Sequence, residues 1–229
     1  MAGRSATDEG ALRAEVIAAS RGLVAEGLTQ GTSGNVSARL GAEMLITPSA
    51  VAPEALEPGL IARVPIDGPE DFPAADGPLR PSTEWRFHRD ILRARPEIGA
   101  VVHAHPPHAT ALALARREIP PCHYMIAAFG GATVRCAGYA LFGTAALSAE
   151  VLAALEGRTA CLMANHGVVA LGETLERALW RAGELEALAR QYLLSLAAGG
   201  PVLLGEGEIA EALAAFDAYR PAAGARAGL

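Results

Sequence analysis

The sequence predicts an α/β protein built as one domain. The length of 229 residues suits a single domain with one large core. Segments with helical spacing of apolar residues alternate with short strand-like segments, and neither a linker nor an internal repeat divides the chain. Hydrophobic residues make up 51% of the chain, beside 25 glycines and 15 prolines, which is typical of a globular protein with many turns. We therefore expect one domain over residues 1–229, with flexible ends at about 1–9 and 221–229.

Six helices are predicted from the apolar periodicity. In the first, Val16, Ile17, Leu23 and Val24 have a spacing close to helical. Ser82 or Thr83 is expected to cap the second helix, and Ser148 the fourth. Thr174 precedes the longest helix, which has an apolar stripe and about 25 residues. The predicted helices cover residues 11–26, 84–95, 108–115, 148–155, the stretch from 174 onward, and 208–219.

Short apolar stretches between these helices predict strands. The first two are joined by a turn near Gly41, as in a hairpin. The last is an apolar strand interrupted by Asn165, His166 and Gly167. Loops rich in Gly, Pro and polar residues cover 29–35 and 67–78. The predicted strands are residues 36–39, 44–47, 61–66, 99–105 and 161–171.

The composition excludes several classes of function. With 25 acidic and 19 basic residues the net charge is −6, so no nucleic-acid partner is expected. No apolar run approaches the roughly 20 residues of a membrane helix. The N-terminal residues carry charges where a signal peptide needs an apolar core. The three cysteines suit a reducing compartment. A cytoplasmic protein is therefore expected. The chain contains no lysine, which closes the Schiff-base and pyridoxal routes that need a lysine amine.

Three histidines form the strongest candidate for a metal site. His103 and His105 lie two residues apart in a predicted strand and should project to the same face. A divalent metal can bind such a pair, and His166, at the break in another apolar strand, is the best third ligand. Three histidines with one open position are typical of catalytic zinc. The alternative is that they are hydrogen-bonded residues at strand ends. His108 and His123 are expected to be structural or to support the metal ligands from outside, and the role of His88 stays open.

A carboxylate and three polar loops accompany these histidines. Glu84 could simply cap a helix, but near a metal it could also be an exchangeable ligand and a proton shuttle. Residues 31–35, 47–50 and 82–83 are clusters of small hydroxyl and amide residues. Backbone N–H groups, hydroxyls and a helix N-terminus can hold a phosphate without lysine. Taken singly, each cluster also fits an ordinary turn, and none matches a nucleotide-binding fingerprint.

Six segments of the chain resemble the class II aldolase/adducin family, in its order and at its approximate spacing, over about residues 10–220. The resemblance implies a three-layer α/β/α fold around a mainly antiparallel sheet. It also implies a cyclic homotetramer with active sites between subunits. The segments are GTSGNVSAR, MLITPSA, PSTEWRFHRDILRARPEIGAVVHAH, HYMIAAFGG, YALFGT and NHGVVALG.

The resemblance also implies roles for individual residues. His103, His105 and His166 match zinc ligands, with Mn²⁺ or Co²⁺ as alternative metals, and Glu84 matches a fourth ligand that is also the catalytic acid and base. Tyr124 matches a proton donor supplied by a neighbouring subunit. The remaining matches are Phe142 in the aldehyde pocket, Tyr219 as a mobile C-terminal tyrosine, and Gly34, Asn35, Ser49, Ala50, Ser82 and Thr83 as the phosphate-binding positions.

Two of these positions depart from the family pattern. Ala50 stands where the family usually has Gly, so the backbone there needs a conformation that alanine can adopt. Thr83 replaces the usual Ser and keeps the hydroxyl.

The activity implied by the resemblance is reversible cleavage of a ketose 1-phosphate to dihydroxyacetone phosphate and an aldehyde. L-Fuculose phosphate, 5-deoxyribulose phosphate and methylthioribulose phosphate are the expected alternative substrates. Related epimerases carry Asp where Glu84 stands, which argues against that activity. Decarboxylases of 3-oxo-tetronate 4-phosphates keep the glutamate and the histidines, so that reaction stays open. A non-catalytic module like the adducin heads would lack the metal ligands, so the histidines argue against it.

Overall fold

A seven-stranded sheet forms the centre of the computed structural model, which describes residues 6–68 and 75–218. In space the strands follow the order β3-β2-β1-β4-β7-β6-β5. Neighbouring strands are antiparallel except for the parallel pair β5 and β6. The predicted, mainly antiparallel sheet is therefore confirmed. The strands are β1 (Asn35–Leu40), β2 (Glu43–Ile46), β3 (Ala62–Pro65), β4 (Ala100–Ala104), β5 (Cys136–Ala137), β6 (Ala160–Met163) and β7 (Gly167–Gly172).

Within residues 6–68 and 75–218, six α-helices and three short 3₁₀ helices surround the sheet. No helix within the described ranges has the length and apolar character needed to cross a membrane. The α-helices are α1 (Ala6–Ala25), α2 (Trp85–Ala94), α3 (Pro107–Leu114), α4 (Ala145–Ala154), α5 (Leu175–Ala197) and α6 (Glu206–Ala218). The 3₁₀ helices are Pro53–Ala55, Pro58–Leu60 and Tyr124–Phe129.

Side chains alternate across the sheet and build two separate cores. In β4, Ala100 and Val102 pack into the core formed with α1, α3 and α5. Val101 packs into the opposite core, with α2 and α4. This is the three-layer α/β/α arrangement that the resemblance implies. Because side chains alternate along a strand, His103 shares the face of Val101 and points toward α2.

The structure corrects three local predictions. The interrupted strand 161–171 is a tight hairpin of β6 and β7, in which Met163 pairs with Gly167. Helix α4 is capped by Thr144, whose hydroxyl accepts a hydrogen bond from the Leu147 N–H.

Ser148, the predicted cap of α4, lies one turn inside that helix, where its hydroxyl donates to Asp90. At the start of α2 the N-cap position is Glu84, and neither Ser82 nor Thr83 occupies it. A hydroxyl near a helix start is a correct signal for the boundary, but it does not decide which of several hydroxyls takes the cap position.

Candidate active site

The three predicted histidines come together at one end of the two central strands. His103 is the penultimate residue of β4, His105 follows that strand directly, and His166 lies in the turn between β6 and β7. Their candidate ligand nitrogens all lie within 4.8 Å of one another, and the ring centroids are separated by 4.8 to 5.1 Å. Pairing of β4 with β7 brings the two parts of the chain together.

Glu84 turns its carboxylate toward these histidines. Although it stands at the N-cap of α2, its side chain makes no capping hydrogen bond. Glu84 Oε2 lies 3.1 Å from His103 Nε2, and Oε1 lies 3.3 Å from His166 Nε2. The carboxylate is only 7% exposed, so its direction is set by these neighbours and not by solvent. The simple capping alternative for Glu84 is therefore wrong.

The donor atoms fit a divalent cation. His103 Nδ1 donates to the Val168 carbonyl, which leaves Nε2 with a lone pair in the neutral ring. That nitrogen lies 2.9 Å from His105 Nε2, and a cation shared by two neutral imidazoles would stabilise so close an approach. Glu84 Oε1 is buried and finds no hydrogen-bond donor in the described part of the chain. Three imidazole nitrogens and a carboxylate are ligands that suit zinc.

The electrostatics of the site favour positive charge between these groups. Burial, aided by His103, lowers the pKa of His105 to about 3 and that of His166 to about 4, so both rings are neutral at pH 7, as metal ligands must be. Burial alone would lower the pKa of His103, but the Glu84 carboxylate raises it overall. Burial likewise opposes ionisation of Glu84, yet His103, His166 and Asn35 lower its pKa well below the usual range.

A glycine and a left-handed asparagine shape the turn that carries His166. A Cβ added at Gly167 would lie 2.4 Å from the Ala104 carbonyl oxygen and 2.5 Å from His105 Cδ2. Only glycine therefore lets the hairpin approach His105 this closely. Asn165 has φ +55°, and its side chain accepts a hydrogen bond of 2.9 Å from Arg116 Nε. The turn is thus fixed on both sides of His166.

A cavity of about 370 Å³ opens beside the histidines and Glu84. One wall consists of the three polar segments expected around a phosphate. Tyr139 to Phe142 also line the cavity, and the side chains of Tyr139, Leu141 and Phe142 are exposed. Of these, sequence reasoning singled out only Phe142; Tyr139 and Leu141 were missed as individual residues, although both lie in the quoted YALFGT motif. The lining residues are Thr32–Asn35, Pro48–Ala50, Ser82–Glu84, His105, Tyr139–Phe142, Asn165 and His166.

Two hydroxyls of the polar wall already have partners in the protein. Ser49 Oγ donates to the Pro81 carbonyl, which ties two of the polar segments together. Ser82 Oγ accepts from the Glu84 N–H at 3.3 Å, so its own proton remains free to donate. Thr83 is exposed. A phosphate bound in this cavity would therefore find free hydroxyl donors at Ser82 and Thr83 but not at Ser49.

Ala50 adopts a backbone conformation with φ +59°. This is the left-handed region, which glycine enters at little cost and alanine does not. Position 50 therefore makes the kind of backbone demand that a glycine meets more easily, and in this chain an alanine meets it.

The two predicted tyrosines have different outcomes. Tyr124 begins the 3₁₀ helix Tyr124–Phe129, is 57% exposed, and stacks on His123 and Phe216. It is not among the residues that line the cavity of its own chain. Tyr219 lies outside the described residues.

The remaining histidines also have assigned contacts. His108 binds Glu186, whose carboxylate accepts the first N–H groups of α3, and His123 caps the 3₁₀ helix by accepting from Met125 N–H. His88 is fully buried and hydrogen-bonded to Asn35 and Ser37. The side chain of Asn35 thus contacts Glu84 and His88, a linkage that sequence reasoning missed because these residues are far apart in the chain.

The fold and the site together define an α/β protein in which three histidines that could hold a metal ion lie beside a polar cavity. Residues 14–193 match the model of the family described as "Class II Aldolase and Adducin N-terminal domain". The chain belongs to this family, and the resemblance drawn from its motifs is confirmed.

Individual relatives carry aldolase names. The chain is 46% identical over 209 residues to a 5-methylthioribulose-1-phosphate/5-deoxyribulose-1-phosphate aldolase of Rhodospirillum rubrum, covering 91% of this chain and 92% of that protein. It is 46% identical over 194 residues to an L-fuculose phosphate aldolase of Escherichia coli K12, covering 84% and 88%. A solved structure named L-fuculose 1-phosphate aldolase superposes with a TM-score of 0.86 at 35% identity, over 94% of this chain and 98% of that chain.

Proposed function

We propose that this protein is a zinc-dependent aldolase that reversibly cleaves a ketose 1-phosphate to dihydroxyacetone phosphate and an aldehyde. L-Fuculose 1-phosphate, 5-methylthioribulose 1-phosphate and 5-deoxyribulose 1-phosphate are the candidate substrates, because relatives with these names match most of the chain. The observation that carries the proposal is the convergence of His103, His105 and His166 with Glu84, beside a polar cavity that Glu84, His105 and His166 line.

The histidines are proposed as the metal ligands and Glu84 as a group that alternates between ligand and proton carrier. A zinc ion held there would supply Lewis-acid stabilisation of negative charge on the substrate oxygens. On cleavage, the carbon that loses the aldehyde must gain a proton, and the departing hydroxyl must lose one. Glu84 is ionised and lies within 3.3 Å of two of the histidines, so it is placed to move the proton at carbon.

Other residues are assigned to binding the two ends of the substrate. Ser82 and Thr83, with the backbone of Gly34, Asn35, Ser49 and Ala50, would hold the phosphate on the polar wall. Phe142, with Tyr139 and Leu141, which also line the cavity, would contact the aldehyde.

Tyr124 is proposed to act on the aldehyde oxygen in a neighbouring subunit of a homotetramer. It would accept the proton of the departing hydroxyl on cleavage and donate it back to the aldehyde oxygen in the reverse, condensation direction. Its exposed ring and its position outside the cavity of its own chain support a role in trans. Tyr219 is proposed to contribute to the same site.

A panel of ketose phosphates tests the proposal. The purified protein is incubated with each of the three candidates, and dihydroxyacetone phosphate is measured enzymatically beside carbon dioxide. We expect dihydroxyacetone phosphate from at least one substrate, loss of that activity after chelation, and recovery with zinc. Activity that survives complete chelation would contradict the proposal.

The same experiment separates the alternatives. Carbon dioxide released from a 3-oxo-tetronate 4-phosphate, without dihydroxyacetone phosphate from any ketose, would assign a decarboxylase instead. A protein that binds no metal and acts on no substrate would indicate a non-catalytic module. Metal analysis of the purified protein is expected to show about one zinc ion per chain.

A further inference from the structure

A chain of buried hydrogen bonds leads away from the catalytic carboxylate into the protein. Asn35 Nδ2 donates to Glu84 Oε2 at 2.9 Å. Asn35 Oδ1 lies 2.5 Å from His88 Nε2, and His88 Nδ1 lies 2.7 Å from Ser37 Oγ. Ser37 and His88 are fully buried, and Asn35 is 6% exposed. These hydrogen bonds therefore join Asn35 and Ser37 of β1 to the start of α2, where Glu84 and His88 lie one helical turn apart.

The direction of each hydrogen bond follows from the chemistry of the groups. An ionised carboxylate only accepts, so Asn35 must present its NH₂ to Glu84 and its oxygen to His88. The Asn35 oxygen also only accepts, so His88 Nε2 must carry a proton. Burial lowers the pKa of His88 to about 3, which keeps the ring neutral and leaves Nδ1 without a proton. Ser37 therefore donates its hydroxyl proton to His88 Nδ1.

We propose that Ser37 and His88 are positioning residues that hold the Asn35 amide in this orientation and so aim Glu84 at His103 and His166. Neither Ser37 nor His88 lines the cavity, so both act through Asn35 and Glu84. The proposal deepens the proposed function, because it concerns the residue assigned there as ligand and proton carrier.

The physical reason is that the opposite tautomer of His88 would reverse the direction of these hydrogen bonds. With the proton on Nδ1, His88 Nε2 would become an acceptor and would take a hydrogen bond from the Asn35 NH₂. The Asn35 oxygen would then face Glu84 Oε2, and two acceptors in contact repel each other. In the first tautomer the Ser37 hydroxyl donates to Nδ1 and so gives that buried acceptor its hydrogen-bond partner. Loss of such an outer contact to a metal ligand typically costs about 10-fold to 100-fold in metal affinity or activity.

Nitrogen NMR of the metal-free wild-type protein tests the direction of these hydrogen bonds without any activity measurement. With ¹⁵N-labelled histidine, the His88 ring is expected to be protonated at Nε2 and unprotonated at Nδ1. The His88 signals are assigned from their loss in a His88→Gln variant. A wild-type His88 ring protonated at Nδ1 would overturn the proposal, whatever the variants below do.

Ser37→Ala tests the consequence for the site, with Ser148→Ala as a matched control. Ser148 is also buried, and its hydroxyl donates to Asp90 at 2.7 Å outside the cavity. Ser37→Ala is expected to lower kcat and zinc affinity each by about tenfold or more, with KM changed less than about twofold. Ser148→Ala is expected to leave kcat, KM and zinc affinity near wild type. Equal losses in the two variants, or a rise of KM alone in Ser37→Ala, would overturn the positioning role.

Failure of the proposed function would look different from failure of this inference. If the wild-type protein cleaves no ketose phosphate, the proposed function fails, while the His88 tautomer and the zinc affinities of Ser37→Ala and Ser148→Ala still decide the positioning role. If Ser37→Ala does not fold, the wild-type tautomer decides it alone.

Discussion

Gly167 lies so close to His105 that Gly167→Ala, which adds one methyl group, can test metal binding separately from folding stability. In Gly167→Ala the new Cβ would lie 2.5 Å from His105 Cδ2 and 2.4 Å from the Ala104 carbonyl oxygen. Ordinary contacts begin near 3.4 Å, so the ring must move by about 0.9 Å. Metal–ligand distances tolerate only about 0.2 Å. We expect the Kd for zinc to rise about 10-fold to 100-fold.

Gly172→Ala is the matched control, because Gly172 lies in the same strand at its other end. There the added Cβ would lie 2.3 Å from the Ala178 nitrogen, an equally severe contact with α5. Both variants are expected to lose about 1–3 kcal/mol of unfolding free energy through overpacking. Only Gly167→Ala presses on a proposed ligand, so only Gly167→Ala should lose zinc affinity.

The unfolding free energy and the zinc Kd are measured on the same samples. Unfolding free energies come from denaturant titrations of the metal-free proteins, and zinc Kd values come from competition with a fluorescent chelator under native conditions. Wild-type zinc affinity in Gly167→Ala would refute the assignment of His105 as a ligand. An equal loss of zinc affinity in Gly172→Ala would show that general destabilisation is responsible and would refute the steric argument.

Three further predictions concern Glu84, Ala50 and pH. Glu84→Gln should lower kcat by about 100-fold or more, since a neutral amide cannot carry the proton; an active variant, measured by release of dihydroxyacetone phosphate, would contradict the proposed role. Ala50→Gly should raise the unfolding free energy by up to about 1.5 kcal/mol, since the left-handed backbone costs alanine about 1–2 kcal/mol and glycine loses about 0.5–1 kcal/mol in entropy; a lower midpoint of denaturation would contradict it. The metal-free protein should lose stability as the pH falls from about 6.5 to about 4. The folded pKa values of His88, His105 and His166 are about 3, 3 and 4, below the ordinary value of 6.5, so the unfolded chain binds more protons in this window. Denaturant titrations at several pH values check this, and a flat profile across the window would contradict it.

The part of the site that follows from local pattern could be predicted from the sequence. The two-residue spacing of His103 and His105 fixes a common direction in any strand, and the structure brings their Nε2 atoms to 2.9 Å. The sequence indicates His166 as a third ligand because Asn165 and Gly167 interrupt an apolar run. The interruption is the turn of a hairpin, since β6 and β7 pair antiparallel around it.

The contacts between distant segments could not be predicted in the same way. Asn35 meets His88 across 53 positions in the chain, and that contact depends on how β1 registers with β4 and how α2 packs beneath both. Apolar periodicity specifies which face of an element is buried but not the partner it meets. His88 therefore looked ambiguous in the sequence, although its burial and both of its hydrogen bonds are specific.

The pairing of β4 with β7 has a consequence for the energetics of the whole protein. These two strands lie in the middle of the sheet and are paired along five residue positions, from Ala100 with Gly172 to Ala104 with Val168. An ion bound at their ends would bind the native chain and not the unfolded one, because the unfolded chain does not hold the three ligands together. By mass action, free zinc at 100 times its Kd would add about 2.7 kcal/mol to the unfolding free energy. The concentration of free zinc would then influence the fraction of the protein that is folded as well as the rate at which the protein turns over its substrate.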